Sequence, residues 1–410
     1  MQDPVAVEPP VGYRESQGEP HLRGSRRLKL YLAIASIVLL LGTGMAAARI
    51  MRAGMLMYSM TYAHPPLVIR AYSKLFRHAT TTRDLWIQGS RGPLQLRIMA
   101  PTDLPNAPVM VLVHGFAISG MRDPLLNAFA QRLARNGLKI VMPDITSEKA
   151  MRIDPTAVTD IDDAIRWSAM SSGQKVSVFG ISFSGGMVIT ASANPAVADD
   201  VKTTFCVSGY NSIPRVGVFY LREPVLGPDG RPYFEQPTPD ALALIAFQYL
   251  DELVPGDEIS TMHEALLSVL KGKGSIGPAE VPGLTAEQRG LLEDLLAVKT
   301  ERMRTRYHAV LERHRAEWDS ISPMGKIGNL RGSLYVLHGS SDGRIPVEEA
   351  EWTRAEGAKS GRVNVMISPW INHSVLVPRA PFTEKVRVVY FVSKMLNEAF
   401  HPVPLGATKG

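Results

Sequence analysis

The chain has 410 residues, 45% of them hydrophobic and 20% charged, with a net charge of +6 and a single cysteine. That apolar content excludes whole-chain disorder. One cysteine excludes an internal disulfide framework and any cysteine-based zinc or iron–sulfur site. Half of the positive excess lies in residues 1–60, where seven basic residues face four acidic ones. The remainder lacks the concentrated basic face that nucleic acid requires, so no nucleic-acid partner is expected and the basic N-terminus suits a membrane-proximal segment.

Residues 1–27 are polar and proline-bearing and are expected to form a disordered cytoplasmic tail. Residues 28–48 read LKLYLAIASIVLLLGTGMAAA, with no charge from Leu30 to Ala48. At about 1.5 Å per helical residue, such a run nearly crosses a hydrocarbon core of roughly 30 Å. Basic residues dominate its N-terminal flank, so the positive-inside rule predicts a single-pass anchor with the bulk of the chain outside the cytoplasm. A signal peptide cleaved near Ala46–Ala48, preceded by the twin-arginine-like Ser25-Arg26-Arg27, is the secreted alternative, and a buried apolar helix is the plainer one. Residues 49–84 are read as a membrane-proximal linker, into whose apolar Met51–Met60 stretch the helix can continue.

From about residue 85 short apolar runs alternate with amphipathic stretches, the pattern of βαβ units around a mostly parallel sheet with helices on both faces. Asp84–Gln88 and Leu94–Met99 flank Gly89-Ser90-Arg91-Gly92 as a hairpin. Strands are predicted at 109–113, 139–142, 175–179, 203–207, 333–337 and 363–367, and helices at 124–136, 156–170, 184–193 and 381–400. The alternation stops over 210–325, where proline-rich loops precede apolar helices at 240–253 and 262–270. A capping box, Thr285-Ala-Glu-Gln288, then opens one long helix running past Leu311. These divisions predict a core of 85–209 plus 326–400, a helical cap at 210–325 and a C-terminal tail at 401–410.

Four strand ends carry the candidate chemistry. Lys175–Gly186 reads KVSVFGISFSGG, a strand running into a glycine-flanked serine and then an apolar helix. That is the setting of a nucleophile elbow, with Ser182 at its tip. The helix N-terminus behind Ser182 favours developing negative charge. The motif departs from G-x-S-x-G, because Ser184 stands where the second glycine belongs. Val109–Phe116 reads VMVLVHGF, a buried strand whose following loop offers the N–H of Phe116. Together with the N–H of Phe183 it would make a two-donor oxyanion hole. Leu334–Pro346 reads LYVLHGSSDGRIP and sets Asp342 beyond a strand, and His373 follows the next strand in Trp370-Ile-Asn-His373. In this reading Ser182 attacks an acyl carbon, His373 carries its proton, and Asp342 holds the imidazole. The loop after 203–207 offers no carboxylate, which favours Asp342 as the acid.

The four motifs HGF (114–116), GISFSGG (180–186), HGSSDGRIP (338–346) and NHS (372–374), in the order Ser182, Asp342, His373, resemble the α/β-hydrolase superfamily over residues 85–400. The resemblance implies an α/β-hydrolase fold and a serine hydrolase acting on a small-molecule or lipid-like carboxylic ester. The alternatives are an acyltransferase or thioesterase with the same three residues, and a catalytically silent membrane-bound binding protein, for which Ser184 is the one hint. No cofactor or metal is expected: Gly272–Gly277 fits G-x-G-x-x-G but follows a helix, and the histidines lack ligand spacing. Cys206 reads as core packing. The sequon at 372–374 reads as coincidence, since a glycan there would crowd His373.

Overall fold

The computed structural model describes residues 47–57 and 77–406, apart from 234, 239, 273–275, 374 and 378. The chain divides into two units, 1–51 and 52–410. In the first, residues 47–51 are described and are helical. The expected span thus lies almost wholly outside the described residues, as does the tail before it. Among the described residues no helix is long and apolar enough to cross a membrane.

The second unit is built on an eight-stranded sheet. Its strands are β1 (Thr80–Gly89), β2 (Gly92–Pro101), β3 (Val109–Leu112), β4 (Lys139–Pro143), β5 (Val176–Ile181), β6 (Val201–Val207), β7 (Ser333–Gly339) and β8 (Val363–Ser368). Their order is β1-β2-β4-β3-β5-β6-β7-β8. β1 and β2 form an antiparallel hairpin, β2 joins β4 antiparallel, and from β4 onward every pair is parallel. Parallel strands need both faces covered, and the sequence obliges: all four residues of β3 are buried. This mostly parallel, doubly covered sheet is the one implied by the α/β-hydrolase resemblance.

Helices α1 (Pro124–Arg135), α2 (Thr156–Ser172) and α3 (Phe183–Ser192) connect the early strands. α1 starts where the Asp123 carboxylate accepts from the Leu125 and Leu126 N–H groups at 3.0 and 2.9 Å, with Pro124 in the first turn. Such a cap satisfies donors the helix itself leaves open. α2 and α3 cover one face, where Ile161, Ile165, Met187 and Val188 join a core with β3 and β5. α1 and the closing helix α11 (Phe382–Phe400) cover the other, with Leu133, Val392 and Leu396 against Met110 and Phe179.

Between β6 and β7 the chain leaves the sheet for the cap. Its main helices are α4 (Ile213–Tyr220), α5 (Ala243–Gln248), α6 (Ile259–Gly272), α7 (Ala286–Ala297), α8 (Glu301–Arg313) and α9 (Arg315–Ser320). The single helix expected after the capping box is two: Val298 adopts a left-handed φ of 48°, and Thr300 opens α8 by accepting from the Met303 N–H. The helix expected over 240–253 is likewise divided at Tyr249. The cap is tied down by Glu349, on α10 (Glu348–Gly357). Its buried carboxylate accepts from the Asn211 and Ser212 N–H groups and from the Arg215 side chain, at 2.6–3.1 Å.

α11 (Phe382–Phe400) ends the fold, and the residues after it pair back: the Lys175 N–H donates to the Val403 carbonyl at 2.7 Å. The segment read as a linker is also structured in part. β1 begins at Thr80, and residues 52–57 are helical, with Ala53, Leu56 and Met57 buried. The Arg52 guanidinium lies 3.8 Å from the centre of the Phe400 ring and donates to the Asn136 carbonyl. This segment therefore touches the C-terminal ends of both α1 and α11.

Candidate active site

Ser182 stands between β5 and α3 with φ 62° and ψ −131°. A non-glycine residue held there is strained, and the surroundings enforce it. The Ser182 N–H donates to the Val207 carbonyl, and its own carbonyl accepts from the Gly185 N–H, both at 2.9 Å. Gly180 is required two residues earlier, because a Cβ there would overlap the Ser184 carbonyl. The turn projects Ser182 into a cavity of about 490 Å³ that His373 also lines.

His373 sits at the turn between two-residue strands, Ile371–Asn372 and Val375–Leu376, with a left-handed φ of 53°. Its Nδ1 lies 2.9 and 3.0 Å from the two carboxylate oxygens of Asp342. Asp342 is fully buried and also accepts from the Arg344 and Ile345 N–H groups at 3.0 and 3.1 Å. Burial is the largest influence on this carboxyl and pushes its pKa up. The His373 hydrogen bond, the charges of His373 and His338 and the Ile345 N–H outweigh it and hold the group at about 2. An ionised acid beside Nδ1 keeps the proton on that nitrogen and leaves Nε2 to accept one. Ser182, Asp342 and His373 thus converge at the C-terminal ends of β5, β7 and β8.

Phe116 and Phe183, the two expected backbone donors, lie side by side, their ring centres 5.0 Å apart. Both line the same cavity as Ser182. The N–H of Phe183, first residue of α3, is one of the donors that a helix leaves unused.

The roles of three further residues of the site were not legible in the sequence. Ser184, the departure from the elbow pattern, is buried, and its hydroxyl donates to the His114 carbonyl at 2.5 Å. It therefore clamps the elbow helix to the loop that presents Phe116. Behind it lies Glu148, fully buried, with its Oε2 3.2 Å from the His114 Nδ1. Burial pushes the Glu148 pKa up to about 8, with the Ser184 hydroxyl pulling it down and Asp160 pushing it further up. The imidazole of His114 accepts from the Ile145 N–H at Nε2 and donates from Nδ1 to the Gly115 carbonyl, and burial lowers its pKa. Both groups are therefore uncharged at neutral pH, as a dry site demands. The third is Ser208, after β6, whose hydroxyl donates to the His373 carbonyl.

Cys206 is buried in β6 and burial raises its pKa to about 12, in keeping with core packing. Among the described residues no cluster of His, Cys, Asp or Glu is arranged to hold a metal ion.

No protein-family model matches the chain, and no curated protein does. Solved structures similar to it include an acylaminoacyl peptidase of Pyrococcus horikoshii, at 14% identity and a TM-score of 0.48. That match covers 83% of this chain and 45% of the peptidase, so the chain spans less than half of that protein. An esterase of Pyrobaculum calidifontis matches at 17% identity and a TM-score of 0.44, over 82% of this chain and 90% of the esterase. A Pyrococcus furiosus esterase matches at 11% identity and a TM-score of 0.44, over 77% and 92%.

Proposed function

We propose that the chain is a serine hydrolase that cleaves carboxylic esters, with Ser182 as nucleophile, His373 as general base and acid, and Asp342 as the group that orients and charges the imidazole. The observation that carries the reading is the buried His373–Asp342 pair at 2.9 Å, with His373 and a strained, cavity-facing Ser182 on one cavity. In the first half-reaction the Ser182 Oγ bonds to the acyl carbon and its proton passes to the His373 Nε2. The carbonyl electron pair moves onto oxygen, facing the Phe116 and Phe183 N–H groups. Collapse breaks the bond to the leaving oxygen, which takes the proton from Nε2. Water then repeats the sequence on the acyl-enzyme, giving the acid and restoring Ser182.

The Ser184 clamp supports this reading over a silent binding protein, since the extra hydroxyl is absorbed by the His114 carbonyl. The N-terminal run at 28–48 supports single-pass anchoring with this unit outside the cytoplasm. An alkaline phosphatase fusion after residue 80 should be active, and inactivity there would reverse the orientation. The catalytic proposal is tested with p-nitrophenyl esters and a fluorophosphonate probe. Turnover and a probe adduct on the peptide holding Ser182 are expected. An adduct elsewhere, or neither turnover nor adduct, would sink it.

A further inference from the structure

The cavity at Ser182 does not stop at the strand ends. It continues down the sheet face covered by α1 and α11, where Met110 and Phe179 from the sheet and Leu133 and Leu396 from the helices line it. All four side chains belong to the apolar core of that face. Leu56 and Met57, from the helical segment 52–57, line it as well. That segment is anchored at the far end of the groove, on Asn136 and Phe400, and Gly54 packs beside Val389 of α11. The depth follows from β3 and the two residues after it. His114 and Met110 both line the cavity, four residues apart, and at roughly 3.3 Å per residue this is about 13 Å. The polar groups gather at the other end, where the Arg344 guanidinium donates to the Asp240 carboxylate of the cap at 2.7 Å.

We propose that this lobe between α1, α11 and residues 52–57 is an acyl-chain site, so that the preferred substrates are esters of unbranched acids of about ten carbons. A saturated chain advances roughly 1.3 Å per bond from bonds of about 1.5 Å, so about ten carbons fill 13 Å. A cavity of this size lies within the range of roughly 300–1,000 Å³ usual for ligand pockets. The lobe suits the acyl rather than the alcohol half of the ester. The alcohol must leave before water can enter, and the acyl group stays bonded to Ser182 throughout. A deep apolar lobe suits what stays, and the polar end beside Asp240 and Arg344 suits what departs. The N-terminal segment 52–57 is thereby a determinant of chain length, although it lies far from Ser182 in sequence.

This inference rests on the ester-hydrolase reading, and the test separates the two. With the full-length chain, kcat/KM for p-nitrophenyl esters should rise about fourfold per added methylene and stop rising near ten carbons. Met57→Trp and Leu133→Trp fill the lobe and should move that optimum at least two carbons shorter. Fluorophosphonate labelling reports whether each variant keeps a formed site. Should Leu133→Trp fail to fold, Met57→Trp and the wild-type series decide. A flat profile, or an optimum unmoved in a variant that labels, would overturn the acyl site. So would a chain-length dependence found in alkyl acetates rather than in acyl esters. Labelling at Ser182 without ester turnover would defeat the ester reading alone. The lobe is then judged by labelling rates of alkyl phosphonofluoridates: rates rising with chain length uphold a hydrocarbon site, and equal rates overturn it.

Discussion

The hydroxyl of Ser208 donates to the carbonyl oxygen of His373 at 2.7 Å, in a buried contact between two residues that both hold left-handed backbone, with φ of 48° and 53°. Asp342 fixes the imidazole from the side-chain end, and Ser208 fixes the same residue from its main chain. Ser208→Ala leaves a buried carbonyl unsatisfied, which costs about 1–3 kcal/mol. It should also lower kcat roughly tenfold, with little change in KM, because the imidazole loses its placement. Ser208→Thr should restore most of the rate. A lowered melting temperature with kcat intact would show that the contact serves only the fold.

Two serines compete for the nucleophile in the sequence Gly180-Ile-Ser-Phe-Ser-Gly185. The Ser184 hydroxyl is occupied by the His114 carbonyl, whereas Ser182 lines the cavity. Ser182→Ala should abolish covalent labelling and reduce turnover by many orders of magnitude, roughly 10⁶ in a well-studied protease. Ser184→Gly, which returns the elbow to its usual pattern, should keep labelling. Labelling that persists in Ser182→Ala and vanishes in Ser184→Ala would reverse the assignment.

Glu148 sets a pH dependence of stability. Its carboxyl titrates near 4.5 when unfolded and about 8 when buried. Between those values the folded chain holds a proton that the unfolded chain has released. The contribution of this group therefore declines as pH rises from about 4.5 to 8. Glu148→Gln keeps the neutral shape without the titration. It should match the wild type near pH 4.5 and exceed it by on the order of a few kcal/mol at pH 8. Urea unfolding at several pH values measures this, and a difference independent of pH would refute it.

Glu349 joins the cap to the core. Glu349→Ala leaves the Asn211 and Ser212 N–H groups and the Arg215 guanidinium without their shared acceptor. Removing one partner of a buried ion pair costs about 3–5 kcal/mol. Limited proteolysis should then cut first near 208–215, while the sheet core resists. Cleavage spread evenly along the chain would show that Glu349 is not the hinge of the cap.

What could be read from the sequence followed the range of the interaction. β3 and β5 announce themselves because both faces are covered, so the runs are almost wholly apolar, with Ser177 the one polar side chain. The glycine before Ser182 was legible because the elbow's crowding is local, within five residues. The first turns of β1 were not, since Thr81–Asp84 of that edge strand are exposed on both faces and leave no alternation to read. The break at Val298 was hidden inside a continuous helical rhythm. The contact of Ser184 with His114 joins residues 70 positions apart, and Glu148 sits in an ordinary polar turn whose burial is decided elsewhere in the fold.

The interruption between β6 and β7 orders events during synthesis. These two strands are hydrogen-bonded neighbours, yet well over a hundred residues of cap are translated between them. At about 5–20 residues per second, Ser182 and its helix emerge many seconds before Asp342 and His373. A growing chain then carries a serine with no base, and an open edge on β6 awaiting β7. Non-local pairing of this kind is slow to form. On the proposed function the nascent chain is thus chemically silent until Asp342 and His373 have emerged, and that same interval is when its unpaired strand is most exposed to association with other chains.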